Sequence, residues 1–282
     1  MKFTKMHGAG NDFVVIEGKD SHRNWSELAI KMCDRHFGVG ADGLLLIYPS
    51  KVADFRMRIF NADGSESTVC GNGLRCLVKY YVDSNKIKRD SEIKIKTSDG
   101  LRTARIRRKR NKITDIDVNM GEAKIGLNSK QVKMINHNLA IDVKSVMNRV
   151  IKVNNQELQV SLVSVGNQHA VCFMDNSVDK FPLADFGPKV ENHRLFPEET
   201  NFEIANIINR KSVRARIWER GVGETLACGS GACAITIAGN LLGYIDNKVD
   251  VILPGGVLQV KWDIGSDIYL RGPAETVFNG EW

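Results

Sequence analysis

The chain has 282 residues, 43% of them hydrophobic and 26% charged, with a net charge of +7. That length allows one large domain or two of ordinary size, with a core that needs no disulfide or metal staple. No run of about 18 apolar residues occurs, so no membrane span is expected.

Residues Met1 to Asp12 carry lysines with no apolar stretch behind them, so a secretory signal is not expected either. Gly8-Ala9-Gly10 falls short of a dinucleotide loop: no third glycine follows three residues on, and no strand is read before it. Residues 44–47, 56–60 and 93–97 have the β-branched or alternating character of strands. Residues 74–82, after Cys70-Gly71-Asn72-Gly73, are apolar without turn formers and read as a buried helix. The basic run Arg107-Arg108-Lys109-Arg110 lacks interleaved aromatics, so it reads as a solvated hairpin tip and not a nucleic-acid patch. Residues 122–155 are polar and show no motif. Residues 232–242 form a second helix whose apolar middle, 234–238, only a core tolerates.

The six cysteines are scattered, which points to a reducing, cytoplasmic setting. Cys70/Cys76 and Cys228/Cys233 lack the spacing of zinc-binding pairs, so no metal is expected. No lysine stands in a distinctive setting for pyridoxal phosphate, and no other cofactor is indicated.

The sequence repeats itself. Phe55-Arg56-Met57-Arg58-Ile59-Phe60-Asn61 is echoed by Val213-Arg214-Ala215-Arg216-Ile217-Trp218-Glu219 at an offset of 158. The same offset carries Glu66 to Glu224, Cys70 to Cys228, Gly71 to Gly229, Asn72 to Ser230 and Gly73 to Gly231. At an offset of 156, Gly10-Asn11-Asp12-Phe13 resembles Gly166-Asn167-Gln168-His169, and residues 93–100 resemble 249–256. The expected fold is therefore α+β: two matching domains, each a central helix wrapped by mostly antiparallel strands. The first comprises residues 1–117 with 272–282 and carries Cys70. The second comprises 118–271 and carries Cys228, and the active site is expected in the cleft between them.

A glycine-flanked cysteine at a helix start has a chemical meaning. Glycines let backbone approach a ligand, and Asn72 and Ser230 are good helix-start residues. The unpaired N–H groups of the first turn receive an anion such as a carboxylate. The positive end of the helix dipole is expected to lower the cysteine pKa. Two such sites give one sulfur to remove an α-proton and another to return a proton on the opposite face. Cys33, Cys76, Cys172 and Cys233 are expected to be inert core thiols. A cysteine protease would need one nucleophile and a histidine such as His169, which leaves the second cysteine unexplained.

These pieces, with Gly38-Val39-Gly40-Ala41-Asp42-Gly43, Phe60-Asn61-Ala62-Asp63-Gly64-Ser65 and Glu219-Arg220-Gly221, resemble the diaminopimelate epimerase family over nearly the whole chain. The resemblance implies that the two domains are pseudo-symmetric with barrel-like sheets, and it implies conversion of LL-2,6-diaminoheptanedioate to the meso form without pyridoxal phosphate or metal. It implies Cys70 and Cys228 as the acid–base pair, tuned by His169 and Glu219. Gly71-Asn72 and Gly229-Ser230 would hold the reacting carboxylate. Asn11, Asn61, Asn167, Asn201, Glu219 and Arg220 would position the rest, with Arg220 as a fork for the distal carboxylate. The partner is thus a small amino-acid substrate, with no nucleic acid or membrane, and many relatives are homodimers. Many members carry glutamine at Gly43 and most carry proline at Gln168; each change reshapes one pocket wall. Two alternatives follow: a racemase of another amino acid, such as histidine, or a non-catalytic module binding amino-acid-like anions.

Overall fold

The structure, a computed structural model, describes residues 1–18, 23–68, 70–87, 91–110, 112–125, 132–133 and 147–282. The chain forms two compact units, Met1–Asn119 with Arg271–Trp282, and Met120–Leu270.

In the first unit, β1 (Lys2–Gly8) and β2 (Asn11–Glu17) form a hairpin. Helix α1 (Trp25–Cys33) then crosses to β3 (Gly43–Tyr48), which lies parallel to β2 with Phe13 opposite Gly43. Strand β4 (Phe55–Asn61) runs antiparallel to β3, and β5 (Glu66–Ser67) folds back on β4. Helix α2 (Gly71–Ser84) leads to β6 (Glu92–Thr97), parallel to β4. Strands β7 (Gly100–Lys109) and β8 (Lys112–Glu122) continue antiparallel. The basic run ends β7 and begins its turn, Arg110 at φ 50°, with Arg107 paired to Asp117. It is a hairpin tip.

The second unit takes in β9 (Lys124–Ile125), β10 (Val132–Lys133) and β11 (Arg149–Val153). Of residues 122–155, the stretches 126–131 and 134–146 lie outside the described residues. Strands β12 (Gln156–Ser164) and β13 (Gln168–Phe173) form a hairpin, and α3 (Leu183–Glu191) crosses to β14 (Asn201–Asn209). β14 is parallel to β13, with His169 opposite Asn201. Strand β15 (Ser212–Glu219) is antiparallel to β14, and β16 (Gly223–Thr225) folds back on it. Helix α4 (Gly229–Leu241) leads to β17 (Lys248–Leu253), parallel to β15, and then to β18 (Gly256–Lys261) and β19 (Asp267–Gly272). The last strand, β20 (Glu275–Glu281), returns to pair with β1.

From β1 to β7 and from β12 to β18, the order of elements and the sense of every pairing are the same. The internal repeat is thus a repeat of register.

Helix α2 packs against β1, β2, β3, β4 and β20, and α4 against β12, β13, β14, β17 and β18. Each is the strand-wrapped central helix the sequence led us to expect. Each unit also has a second helix that the sequence reading missed. Helix α1 covers the other face of β3 and β4, and α3 covers β11, β14, β15 and β16. With both faces covered, β3 reads as an unbroken apolar run: Leu44 and Leu46 join the core under α1, while Leu45 touches α2 at Gly73. Gly8-Ala9-Gly10 does follow a strand, contrary to expectation, but it leads into β2 and not into a helix.

Candidate active site

Both central helices begin in the same way. Cys70 (φ −136°, ψ 120°) caps α2, and Cys228 (φ −112°, ψ 118°) caps α4. Each sulfur accepts the N–H of the residue three positions on, Gly73 or Gly231, at 3.4 Å in both units. The caps are therefore the cysteines themselves. Asn72 and Ser230, expected as helix-start residues, are second in their helices. The N–H groups of Gly71-Asn72 and Gly229-Ser230 lie in the first turn of each helix, beside the sulfur and at the positive end of the dipole. Gly73 and Gly231 serve close packing: a Cβ there would sit 3.0 Å from Leu45 Cδ2 or 2.7 Å from Ile217 Cδ1.

The repeated arginine and glutamate brace the loop before each cysteine. Arg58 grips Glu66 with two bonds of 2.7 and 2.9 Å, and Arg216 grips Glu224 with the same two distances. These bidentate pairs tie β5 to β4 and β16 to β15, which fixes where each helix starts. Gly10 and Gly166 both have φ 85°, and the turns they make deliver Asn11 and Asn167 to matched places.

In the first unit, Asn11 Oδ1 lies 3.8 Å from Cys70 Sγ and accepts from Asn72 Nδ2 at 3.0 Å. Asn72 Oδ1 accepts from Arg75 at 2.7 Å, and Asn11 Nδ2 donates to Asp42 at 2.7 Å. Arg75 has no exposed surface and also donates to Pro273 O at 3.1 Å. Asp42 is held by Arg35, which bridges to Asp12. Burial raises the Asp12 pKa, but bonds from Arg35 and Lys5 outweigh it and bring it down to about 2.

In the second unit, His169 and Glu203 are both fully buried, with Nδ1 and Oε1 2.6 Å apart. The other ring nitrogen, Nε2, is 2.8 Å from Asn167 Oδ1. Asn201 donates to Gln168 O at 2.7 Å and accepts the Arg220 N–H at 3.0 Å, so it ties β13 to the loop after β15. The Arg220 side chain is exposed and donates to Glu198 O at 2.9 Å. Cys228 is hydrogen-bonded to Ser230 Oγ at 3.4 Å.

The expected lowering of the thiol pKa does not hold at Cys228. Burial pushes this thiol well above its usual range, and the Glu219 and Glu203 carboxylates push the same way. The Ser230 hydroxyl and the Gly231 N–H oppose them.

The structure thus gathers Cys70, Asn11, Gly71 and Asn72 in one unit. In the other it gathers Cys228, Gly229, Ser230, His169, Asn167, Asn201, Glu219 and the Arg220 backbone. Asn61 is exposed at the end of β4, opposite Gly43, with its amide on Ser65 Oγ at 2.9 Å. Sequence reasoning missed Arg75, Asp42 and Glu203.

The diaminopimelate epimerase family model matches residues 3–126 and 161–277. The chain belongs to the diaminopimelate epimerase family. A diaminopimelate epimerase from Desulfovibrio desulfuricans is 44% identical, covering all of this chain and 98% of its own. One from Carboxydothermus hydrogenoformans is 42% identical, with 100% and 99% covered. Among solved structures, a hydroxyproline epimerase from Agrobacterium vitis superposes with a TM-score of 0.75 at 14% identity, over 99% of this chain and 90% of that one. Membership of the diaminopimelate epimerase family makes the chain an isomerase, and the hydroxyproline epimerase shares its fold.

Proposed function

We propose that this chain is the diaminopimelate epimerase of its source, interconverting LL- and meso-2,6-diaminoheptanedioate with Cys70 and Cys228 as its two acid–base groups. One observation carries the reading. The same cysteine-capped helix start is built twice, with matched backbone angles and the same sulfur-to-amide distance of 3.4 Å. Inverting a stereocentre takes a base on one face of the α-carbon and an acid on the other, and each unit supplies one sulfur. The helix-start N–H groups receive the carboxylate, whose charge grows as the α-proton leaves, in the manner of an oxyanion hole. The Arg220 guanidinium fits the distal carboxylate of a substrate with one at each end.

Neither departure from the family pattern speaks for another substrate. Gly43 is buried where β3 meets β4, and a Cβ there would lie 2.7 Å from Phe60 O, so this glycine answers to strand packing. Gln168 is the first residue of β13, a place where proline is also tolerated.

The same reading places the enzyme in the cytoplasm, in lysine biosynthesis, as a homodimer. The dimer is supported by β20, whose Val277 and Phe278 are exposed, followed by an exposed Trp282. Incubation with LL-diaminopimelate in D2O tests the function: the meso isomer must form with deuterium at the α-carbon. Absence of both under reducing conditions refutes it. Faster turnover of free histidine than of diaminopimelate would move the assignment to the racemase alternative.

A further inference from the structure

Glu203 is an acid without exposed surface on a strand whose neighbouring residues, Phe202, Ile204 and Ala205, are apolar and equally buried. One carboxyl oxygen, Oε1, is 2.6 Å from His169 Nδ1. The other, Oε2, is buried and has no hydrogen-bond partner among the described residues. A buried polar atom left unanswered beside a reactive centre calls for a functional account.

The surroundings supply one. A Cβ on Gly231 would lie 3.0 Å from Oε1, so the carboxyl sits directly against the first turn of α4. Gly231 is also the residue whose N–H binds the Cys228 sulfur. The charged or titratable groups acting on that sulfur are Glu219, along the β15 side, and Glu203.

We infer that Glu203 is a positioning residue for Cys228: it fixes the His169 ring through Oε1, and the proton in that bond shifts with the state of the sulfur. The inference rests on Cys228 being one of the two acid–base groups. When Cys228 gives its proton to the substrate carbanion, the thiolate left behind repels a carboxylate against the same helix turn. The proton in the His169–Glu203 bond then shifts toward Glu203 Oε1, which reduces the negative charge facing the thiolate. His169 keeps its Nε2–H on Asn167 Oδ1, and no proton leaves the pair. When Cys228 is reprotonated, the proton returns to Nδ1. The ring is thereby linked to Asn167, a residue assigned to positioning the substrate.

The test is Glu203→Gln, which keeps the shape and a contact to His169 but cannot carry that proton. The expected result is a kcat lower by about tenfold or more, with KM little changed and faster alkylation of Cys228 at fixed pH. An E203Q enzyme equal to wild type in kcat and in alkylation rate overturns the inference. Should E203Q not fold, the wild-type protein decides. The bridging proton, assigned by nitrogen-15 histidine labelling, must move in the proton NMR spectrum when Cys228 is alkylated; an unmoved resonance overturns the inference. A wild type that exchanges no α-hydrogen would instead refute the proposed function itself, so the two failures are distinguishable.

Discussion

Arg75 donates to Asn72 Oδ1 at 2.7 Å from a fully buried position, and that bond fixes one end of a polar chain in the first unit. A guanidinium can only donate, and the Asp42 carboxylate at the other end can only accept. The two amides between them, Asn72 and Asn11, are therefore oriented without ambiguity. The open acceptor of Asn11 must face Cys70.

Replacing Asp42 with asparagine removes the acceptor-only end of this chain, the end that holds Asn11. Asn11 can then rotate and turn its amide hydrogens toward the Cys70 sulfur. Because Asp42 is exposed, D42N should cost less than about 1 kcal/mol of stability, while kcat falls and Cys70 alkylates faster. R35Q breaks the ion pair with Asp42 but leaves the Asn11–Asp42 bond, and should change neither. Steady-state kinetics and mass-spectrometric alkylation rates on both variants check this.

Cys70→Ala and Cys228→Ala should each lower epimerisation by about 10²-fold or more, since each removes one of the two proposed acid–base groups. Cys76→Ala changes a fully buried thiol off the reaction path. It should keep kcat and lose about 1 kcal/mol in urea unfolding. Loss of turnover in C76A, or normal turnover in C70A, would contradict these roles.

Stability should decline on both sides of neutrality. Burial raises the thiols of Cys33 and Cys76 to about 12 and that of Cys172 to about 11, against an ordinary value of 9.0. Between those values the unfolded chain releases protons that the folded chain retains. Stability therefore falls as pH rises above 9, by up to about 1.4 kcal/mol per pH unit for each such thiol. On the acid side, Asp12 is depressed from 3.8 to about 2. Its contribution is complete above pH 4 and disappears as pH falls toward 2. Urea midpoints measured at pH 2.5, 7, 9 and 10.5 should trace both losses.

Under the two-base reading, both sulfurs must reach one α-carbon, so a mild thiol oxidant should join them and abolish turnover. Reductant should restore activity, and bound substrate should protect it. Activity indifferent to oxidant would count against a shared site.

Much of this was legible in the residues. The offset of 158 located both helix starts, because a turn, a cap and a brace demand particular side chains at particular spacings. The outer helices were harder. Helix α1 did carry a signal, an N-cap asparagine: Asn24 Oδ1 accepts the Glu27 N–H at 3.2 Å, and the Asn24 amide donates to the Glu27 carboxylate at 3.3 Å. Helix α3 contains Gly187 and Pro188, which read as breakers. The glycine is there because a Cβ would strike the Trp218 ring at 2.3 Å, a contact between residues 31 positions apart. Glu203 was invisible for a related reason. Only the parallel register of His169 with Asn201 brings its carboxyl to the imidazole. Arg75 looked like an ordinary helix arginine, and only burial shows that it governs two amides.

The cysteine caps have a cost that reaches beyond chemistry. Sulfur is a weak, long-reach acceptor, and serine, aspartate or asparagine would fasten each helix entrance more firmly. On the proposed mechanism, this protein tolerates two loosened seams at the starts of its two central helices because the reaction needs thiols there. A serine at either place should make a sturdier molecule and an idle one, and directed selection for heat resistance alone would drift toward that dead end.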